Sequence, residues 1–231
     1  MKKILVTGGL GFIGSHTVVE LQNEGFEVVI IDNLSNSKIE VLQGITNITG
    51  KKPEFFQFDL LEKNSVQDFF KSNEIVGVIH FAASKAVGES VEKPLMYYEN
   101  NLGSLINILN GMLLGDCKNI IFSSSCTVYG QAEVLPITES APLKPAESPY
   151  GNTKKVGEDI LIDATKSSNI QAIALRYFNP IGAHPSAAIG ELPIGVPQNL
   201  VPFITQTAIG LRQELSVFGD DYPTPDGTAI R

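Results

Sequence analysis

Tyr150 and Lys154 stand four residues apart, the spacing that places two side chains on one face of an α-helix. Upstream of them, Ser125 closes a run of three hydroxyls, Ser123-Ser124-Ser125. These residue types suit proton transfer at a substrate hydroxyl, with Tyr150 as acid/base, Ser125 as its hydrogen-bond partner and Lys154 as the nearby cation. A free phenol titrates near ~10, so work near neutrality demands a shift of roughly 3 units, or about 4 kcal/mol. One lysine in water cannot supply that, whereas Lys154 helped by a second positive charge in a site of reduced dielectric could. A helical Tyr/Lys pair is common, and taken alone it is structural more often than catalytic. Its weight here comes from what precedes it.

The apolar run Ile4-Leu5-Val6 reads as a buried strand, the segment 16–21 continues as a helix, and Gly8, Gly11 and Gly14 are spaced G-x-x-G-x-x-G between them. Glycines there let the turn take strained backbone angles and clear the helix N-terminus for a pyrophosphate. Bare glycine triplets are weak evidence; context strengthens this one. The segment 27–31 reads as a second strand and ends on Asp32, at the distance where a carboxylate accepts hydrogen bonds from an adenosine ribose. A 2′-phosphate would be repelled there, so NAD is favoured over NADP, although Lys38 lies near; the alternative is that Asp32 merely caps a turn. A nicotinamide cation would then provide the second positive charge beside Lys154.

Further elements follow at regular intervals. A weak helix spans 38–48, and strands are predicted at 54–58, 75–81, 118–122 and 171–175, with helices at 65–71, 94–114 and from 150 through 164. Asp59, after the third strand, could meet the adenine amino group or N-cap the helix that follows. Ala82-Ala83-Ser84-Lys85 ends the fourth strand with small residues, room for a flat cofactor, and a positive charge. The helix from Pro94 carries a broad apolar stripe of Leu95, Leu102, Leu105, Ile106, Leu109 and Leu113, whose surplus surface suggests a partner subunit; Asn100 and Asn101 interrupt it, and one of them could reach the cofactor. The pattern predicts an α/β, Rossmann-type doubly wound parallel sheet over 1–178, with the start of a smaller C-terminal substrate lobe at 179–231, where Gly, Pro and Ala become frequent.

Composition narrows the options. The 231 residues carry 43% hydrophobic and 18% charged content and a formal net charge of −8, enough for a sizeable core and unsuited to a nucleic-acid partner. The apolar run after Met1 is too short for a secretory signal or a membrane span, so a cytoplasmic location is expected. Cys117 and Cys126 are the two cysteines, with no C-x-x-C pair or cysteine–histidine cluster, which predicts reduced thiols and no metal.

With these residues in place, the chain resembles the extended short-chain dehydrogenase/reductase family, and within it the nucleotide-sugar epimerases, along essentially its whole length. The resemblance is carried by the 7–14 turn, by Asp32-Asn33-Leu34-Ser35-Asn36-Ser37, by His80-Phe81-Ala82 with 85–90, by 122–125 with Thr127-Val128-Tyr129-Gly130, by Tyr150-x-x-x-Lys154, and by Arg176-Tyr177-Phe178-Asn179-Pro180 with 182–185. It implies NAD-dependent epimerisation at C4 of a UDP-hexose through a transient 4-keto sugar, in a homodimer. Phe12 and Ile13 would approach the pyrophosphate, and Asp32, Asn33, Leu34, Ser35, Asn36, Ser37, Asp59, Leu60, Phe81, Ala82, Ala83, Ser84, Lys85, Asn100, Ser123, Tyr177 and Phe178 would line NAD. Lys154 would also hold the nicotinamide ribose. Lys85, Ser125, Tyr150, Asn179, Asn199, Leu200, Phe218 and Arg231 would meet the UDP-sugar. Relatives continue past Arg231 with sugar-gating residues, which implies a shortened chain here.

Other readings remain open at this stage. A nucleotide-sugar 4,6-dehydratase shares the oxidation at C4 but eliminates water with an Asp-Glu pair just before the Val-Tyr-Gly, where this chain has Cys126 and Thr127. An epimerase of UDP-N-acetylhexosamines and a simple alcohol dehydrogenase use the same core. A dinucleotide-sensing regulator would share the sheet but would have no use for Ser125, Tyr150 and Lys154 together.

Overall fold

The computed structural model describes residues 3–197, 199–217 and 219–228. The chain forms two compact units, Met1–Glu191 and Leu192–Arg231. The first is built on six parallel strands, β1 (Lys3–Thr7), β2 (Glu27–Ile31), β3 (Glu54–Phe56), β4 (Ile75–His80), β5 (Asn119–Ser123) and β6 (Gln171–Leu175), in the spatial order β3-β2-β1-β4-β5-β6. That order is the doubly wound arrangement, whose direction reverses between β1 and β4 and opens a crevice beyond the strands' C-terminal ends.

The inner strands read as continuous apolar runs because both faces of the sheet are covered there, whereas β6 at the margin is largely exposed. Along β2, Val29 and Ile31 join the core that contains Val66, Phe69, Phe70, Leu105, Ile108 and Met112. Val28 and Ile30, pointing the other way, join Val18, Val19, Leu42 and Ile45. The first core is roofed by α3 (Lys63–Ser72), α5 (Pro94–Leu114) and α6 (Pro149–Ser167), and the second by α1 (Phe12–Asn23) and α2 (Glu40–Thr49). Both cysteines are free, and no described helix is long and apolar enough to cross a membrane.

Most predicted elements are present with small boundary changes. Three are additions: a short α4 (Val87–Glu92), a 3-10 turn over Cys126–Tyr129, and α7 (Leu200–Ala208) in the second unit. The α5 stripe divides. Leu105 and Leu109 are buried, whereas Leu95, Ile106 and Leu113 are 81%, 45% and 56% exposed. At 3.6 residues per turn the three exposed side chains, with half-buried Leu102, align along one face of the helix.

Candidate active site

The glycine turn comes first because backbone dictates it. Gly8 sits at φ +66, and a Cβ there would lie 2.8 Å from the Ala82 nitrogen; one on Gly14 would lie 2.2 Å from the Gly8 carbonyl oxygen. Neither position accepts a side chain without moving backbone. Gly11 is the N-cap of α1 and has no side chain to satisfy the helix's first N–H groups, and the first bond back to it comes from Ser15 N (2.9 Å). The amides of Phe12 and Ile13 are therefore available to an anion at the positive end of the helix.

Asp32 is buried, and its carboxylate accepts from Leu10 N (3.1 Å), Leu34 N (3.0 Å) and Ser37 Oγ (2.7 Å). It fixes the turn and its own loop together. Two oxygens offer about four lone-pair directions, so one acceptor direction remains for a ribose. The turn-capping and ribose-binding readings are thus compatible. Leu34 takes φ +61, unusual for a branched side chain, in the loop that continues through the exposed Asn33, Ser35 and Asn36.

Asp59 is not the cap of the helix that follows it. Its Oδ1 accepts from Leu61 N (2.8 Å) and its Oδ2 from Asn33 Nδ2 (2.9 Å), while the N-cap position of α3 is Glu62. The short side chain closes its own turn before the helix begins. Leu60 directs its side chain into the core, and its carbonyl accepts from Asn107 Nδ2 at 2.9 Å.

Beyond β4, the segment Phe81 to Lys85 passes across the glycine turn. Ser84 N donates to Asn101 Oδ1 (2.8 Å), Asn101 Nδ2 donates to Ser84 O (3.0 Å) and Thr153 Oγ1 (3.0 Å), and Asn100 Nδ2 donates to Ser84 Oγ (3.0 Å). Asn101, buried, joins α5, the β4 loop and α6; Asn100 lies half-buried beside it. Lys85 pairs with Glu191 at 3.6 Å. At the end of β4, His80 bonds Thr7 Oγ1 through Nδ1 (2.8 Å) and stacks on Phe122. Burial, then the Lys154 charge, lowers its pKa to about 3, so it stays neutral.

The catalytic candidates converge from β5 and α6. Ser148 caps α6 by accepting from Gly151 N (3.1 Å), and Pro149 occupies its first turn. Tyr150 and Lys154 follow on one face, with Lys154 Nζ 5.8 Å from the Tyr150 ring centroid and 5.1 Å from that of Phe122. Lys154 is 4% exposed and donates to Ser123 O at 2.8 Å; burial lowers its pKa to about 8. Burial raises the Tyr150 pKa, and the polar Ser125 hydroxyl nearby opposes that rise. Ser125 Oγ already accepts from Thr127 N (3.2 Å), which leaves its proton for the phenol oxygen. Without a further positive charge the phenol stays protonated. Ser123 hydrogen-bonds the Tyr177 hydroxyl, and Cys126 N donates to Tyr177 O (3.2 Å), so the segment after β6 is stitched to the serine run. Phe178 is 56% exposed and Asn179 is exposed.

In the second unit Asn199 holds the N-cap position of α7 and Leu200 begins that helix, half of its surface exposed. Phe218 and Arg231 lie outside the described residues. The sequence reading missed Asn101 as a bridge, and it missed Glu158 and Arg176. Glu158 accepts from Ser124 Oγ and pairs with Arg176 at 2.6 Å. A signal for the latter pair existed: Glu158 is four residues past Lys154, on the Tyr150 face, and Arg176 opens the Tyr177-Phe178-Asn179 block.

Comparison with known proteins gives concordant results. The family described as GDP-mannose 4,6 dehydratase matches residues 5–231. A UDP-glucose 4-epimerase of Bacillus subtilis is 55% identical over 229 residues, covering 99% of this chain and 67% of its own length. The crystal structure of the UDP-glucose 4-epimerase of Bifidobacterium longum in complex with NAD+ and UDP superposes with a TM-score of 0.95 at 46% identity, covering 98% of this chain and 68% of that one. That of the Stenotrophomonas maltophila UDP-glucose-4-epimerase with bound NAD and formylated UDP-arabinopyranose gives 0.93 at 48% identity, covering 99% and 68%. This chain therefore spans about two thirds of the length of these relatives.

Proposed function

The chain belongs to the UDP-glucose 4-epimerases of the extended short-chain dehydrogenase/reductase family, and from that premise we propose that it interconverts UDP-glucose and UDP-galactose with NAD as a resident cofactor. The observation that carries the reading is the convergence of Ser125, Tyr150 and a buried Lys154 at the C-terminal ends of β5 and β4, beside a glycine turn whose backbone admits no Cβ at Gly8 or Gly14. The residues suit NAD. The Phe12 and Ile13 amides would take the pyrophosphate, Asp32 the adenosine ribose, and Lys154 the nicotinamide ribose, while the segments 33–37, 59–60 and 81–85 with Asn100, Ser123, Tyr177 and Phe178 would line the rest. NAD, when bound, supplies a positive charge beside Tyr150 and a hydride acceptor for C4 that returns the same hydrogen without exchange with water.

The chain's own residues handle the proton. Tyr150 takes it from the sugar 4-hydroxyl and later returns it to the oxygen, Ser125 donates to the phenolate in between, and Lys154 contributes the charge that favours that form. Lys85, Asn179, Asn199, Leu200, Phe218 and Arg231 are the proposed contacts of the UDP-sugar. Cys126 and Thr127 stand where elimination would need a carboxylic acid pair, which favours epimerisation over dehydration. The exposed Leu95, Ile106 and Leu113 face of α5 supports a homodimer, and interconversion of UDP-glucose and UDP-galactose would place the chain in galactose metabolism. The test is direct: NAD-loaded protein given UDP-galactose in deuterated water yields UDP-glucose with no deuterium at C4. Label at C4, or loss of water from the sugar, overturns the reading.

A further inference from the structure

Glu158 is 4% exposed, lies within the Tyr150 helix, and has no part in the proton transfer just described. Its Oε1 accepts from Ser124 Oγ and from Arg176 Nε (2.9 Å), and its Oε2 accepts from Arg176 Nη2 (2.6 Å). Arg176 in turn donates from Nη1 to the Tyr129 hydroxyl (3.2 Å) and lies over the Tyr129 ring at 5.2 Å. A buried ion pair is a poor source of stability, because apolar residues of the same volume do as well or better; what it supplies is direction.

The direction here is informative. Ser124 is flanked by Ser123, whose carbonyl receives Lys154 Nζ, and by Ser125, whose hydroxyl serves Tyr150. Glu158 stands one turn beyond Lys154 and two beyond Tyr150, so all three project from one face of α6. The serine run is thus tied to α6 twice, by Lys154 to Ser123 and by Ser124 to Glu158. Arg176 pairs with the Glu158 charge and so compensates its burial.

We propose that Glu158 is a positioning residue for the proton transfer: acting through Ser124 and held by Arg176, it fixes Ser125 opposite Tyr150. This rests on the epimerase reading. The experiment measures kcat and KM for UDP-galactose in NAD-loaded wild type, Ser124→Ala, Ser125→Ala and the double variant, with Glu158→Gln alongside where it folds. Because misplacing a catalytic group by about an ångström can cost on the order of a hundredfold in rate, Ser124→Ala is expected to lower kcat about tenfold or more. KM should change less than about twofold, and on the Ser125→Ala background the same substitution should cost nothing further. A fall in melting temperature with kcat unchanged, an equal kcat loss on the Ser125→Ala background, or a rise in KM alone overturns the inference.

A wild-type protein that leaves UDP-galactose untouched would sink the function while the clamp stays testable through the Tyr150 phenolate absorbance, obtained by difference from Tyr150→Phe. The groups facing that phenol are Lys154 of α6, Tyr97 of α5, Cys126 of the 3-10 turn and Tyr177 after β6, and all are shared by the variants. Ser124→Ala should move the titration to higher pH, as loss of the Ser125 donor does; an unmoved titration overturns the clamp.

Discussion

Replacing Tyr150 with Phe removes one oxygen from a ring held beside Lys154, and with it the proposed proton carrier. Tyr150→Phe should keep NAD, read from the absorbance of the purified protein, and lose roughly 10²–10⁴-fold in kcat. Asp32 calls for a gentler substitution than alanine, since three donors already rely on its carboxylate. Asp32→Asn keeps an acceptor and drops the charge, so the ratio of NAD to NADP affinity should fall toward one by titration; an unchanged ratio would remove Asp32 from the ribose. His80 gives a pH signature. Its folded pKa, lowered to about 3, lies below the value near 6.5 of the unfolded chain, so the unfolded state binds the extra proton between them. Stability is therefore whole above about 6.5 and declines as pH falls, by about 2 kcal/mol between pH 7 and pH 5 at 1.36 kcal/mol per unit. His80→Gln should flatten that part of the urea-midpoint profile.

At the scale of elements, the two tight glycines of the turn differ from the third. A Cβ on Gly11 would meet the Gly8 carbonyl oxygen at 3.2 Å, against 2.2 Å for Gly14. Gly14→Ala should accordingly cost on the order of 3 kcal/mol or more and abolish NAD retention, whereas Gly11→Ala should lower the melting point only slightly. Strand 27–31 and helix 94–114 were legible to the residue because an unbroken β-branched run and a proline-started apolar helix are local signals. The 3-10 turn over Cys126–Tyr129 was not, since Ser125 Oγ makes it by accepting from Thr127 N, a geometry no periodicity encodes. Tyr150, Lys154 and Ser125 could be read from spacing and type. Glu158 with Arg176, and Asn101 with Ser84 and Thr153, are joined across 18, 17 and 52 residues of chain, and only the packed sheet brings them together.

For the whole molecule, the outward face of α5 predicts association. Ile106→Lys with Leu113→Lys should give a monomer by light scattering where the wild type gives a dimer, with NAD binding retained because neither side chain enters the nucleotide-binding elements. The opposite flank of the sheet has a different character. Among the described residues β6 pairs with β5 on one side and ends the strand order, and Ile173 and Leu175 are 60% and 40% exposed on it. An apolar margin with backbone groups turned outward is a template for an extended polypeptide, including a misaligned copy of itself. Concentrated samples should therefore lose clarity through ribbon-like stacking that begins at this margin. Ile173→Lys would act as a gatekeeper, raising the concentration at which turbidity appears while leaving the glycine turn after β1, three strands away, as it was.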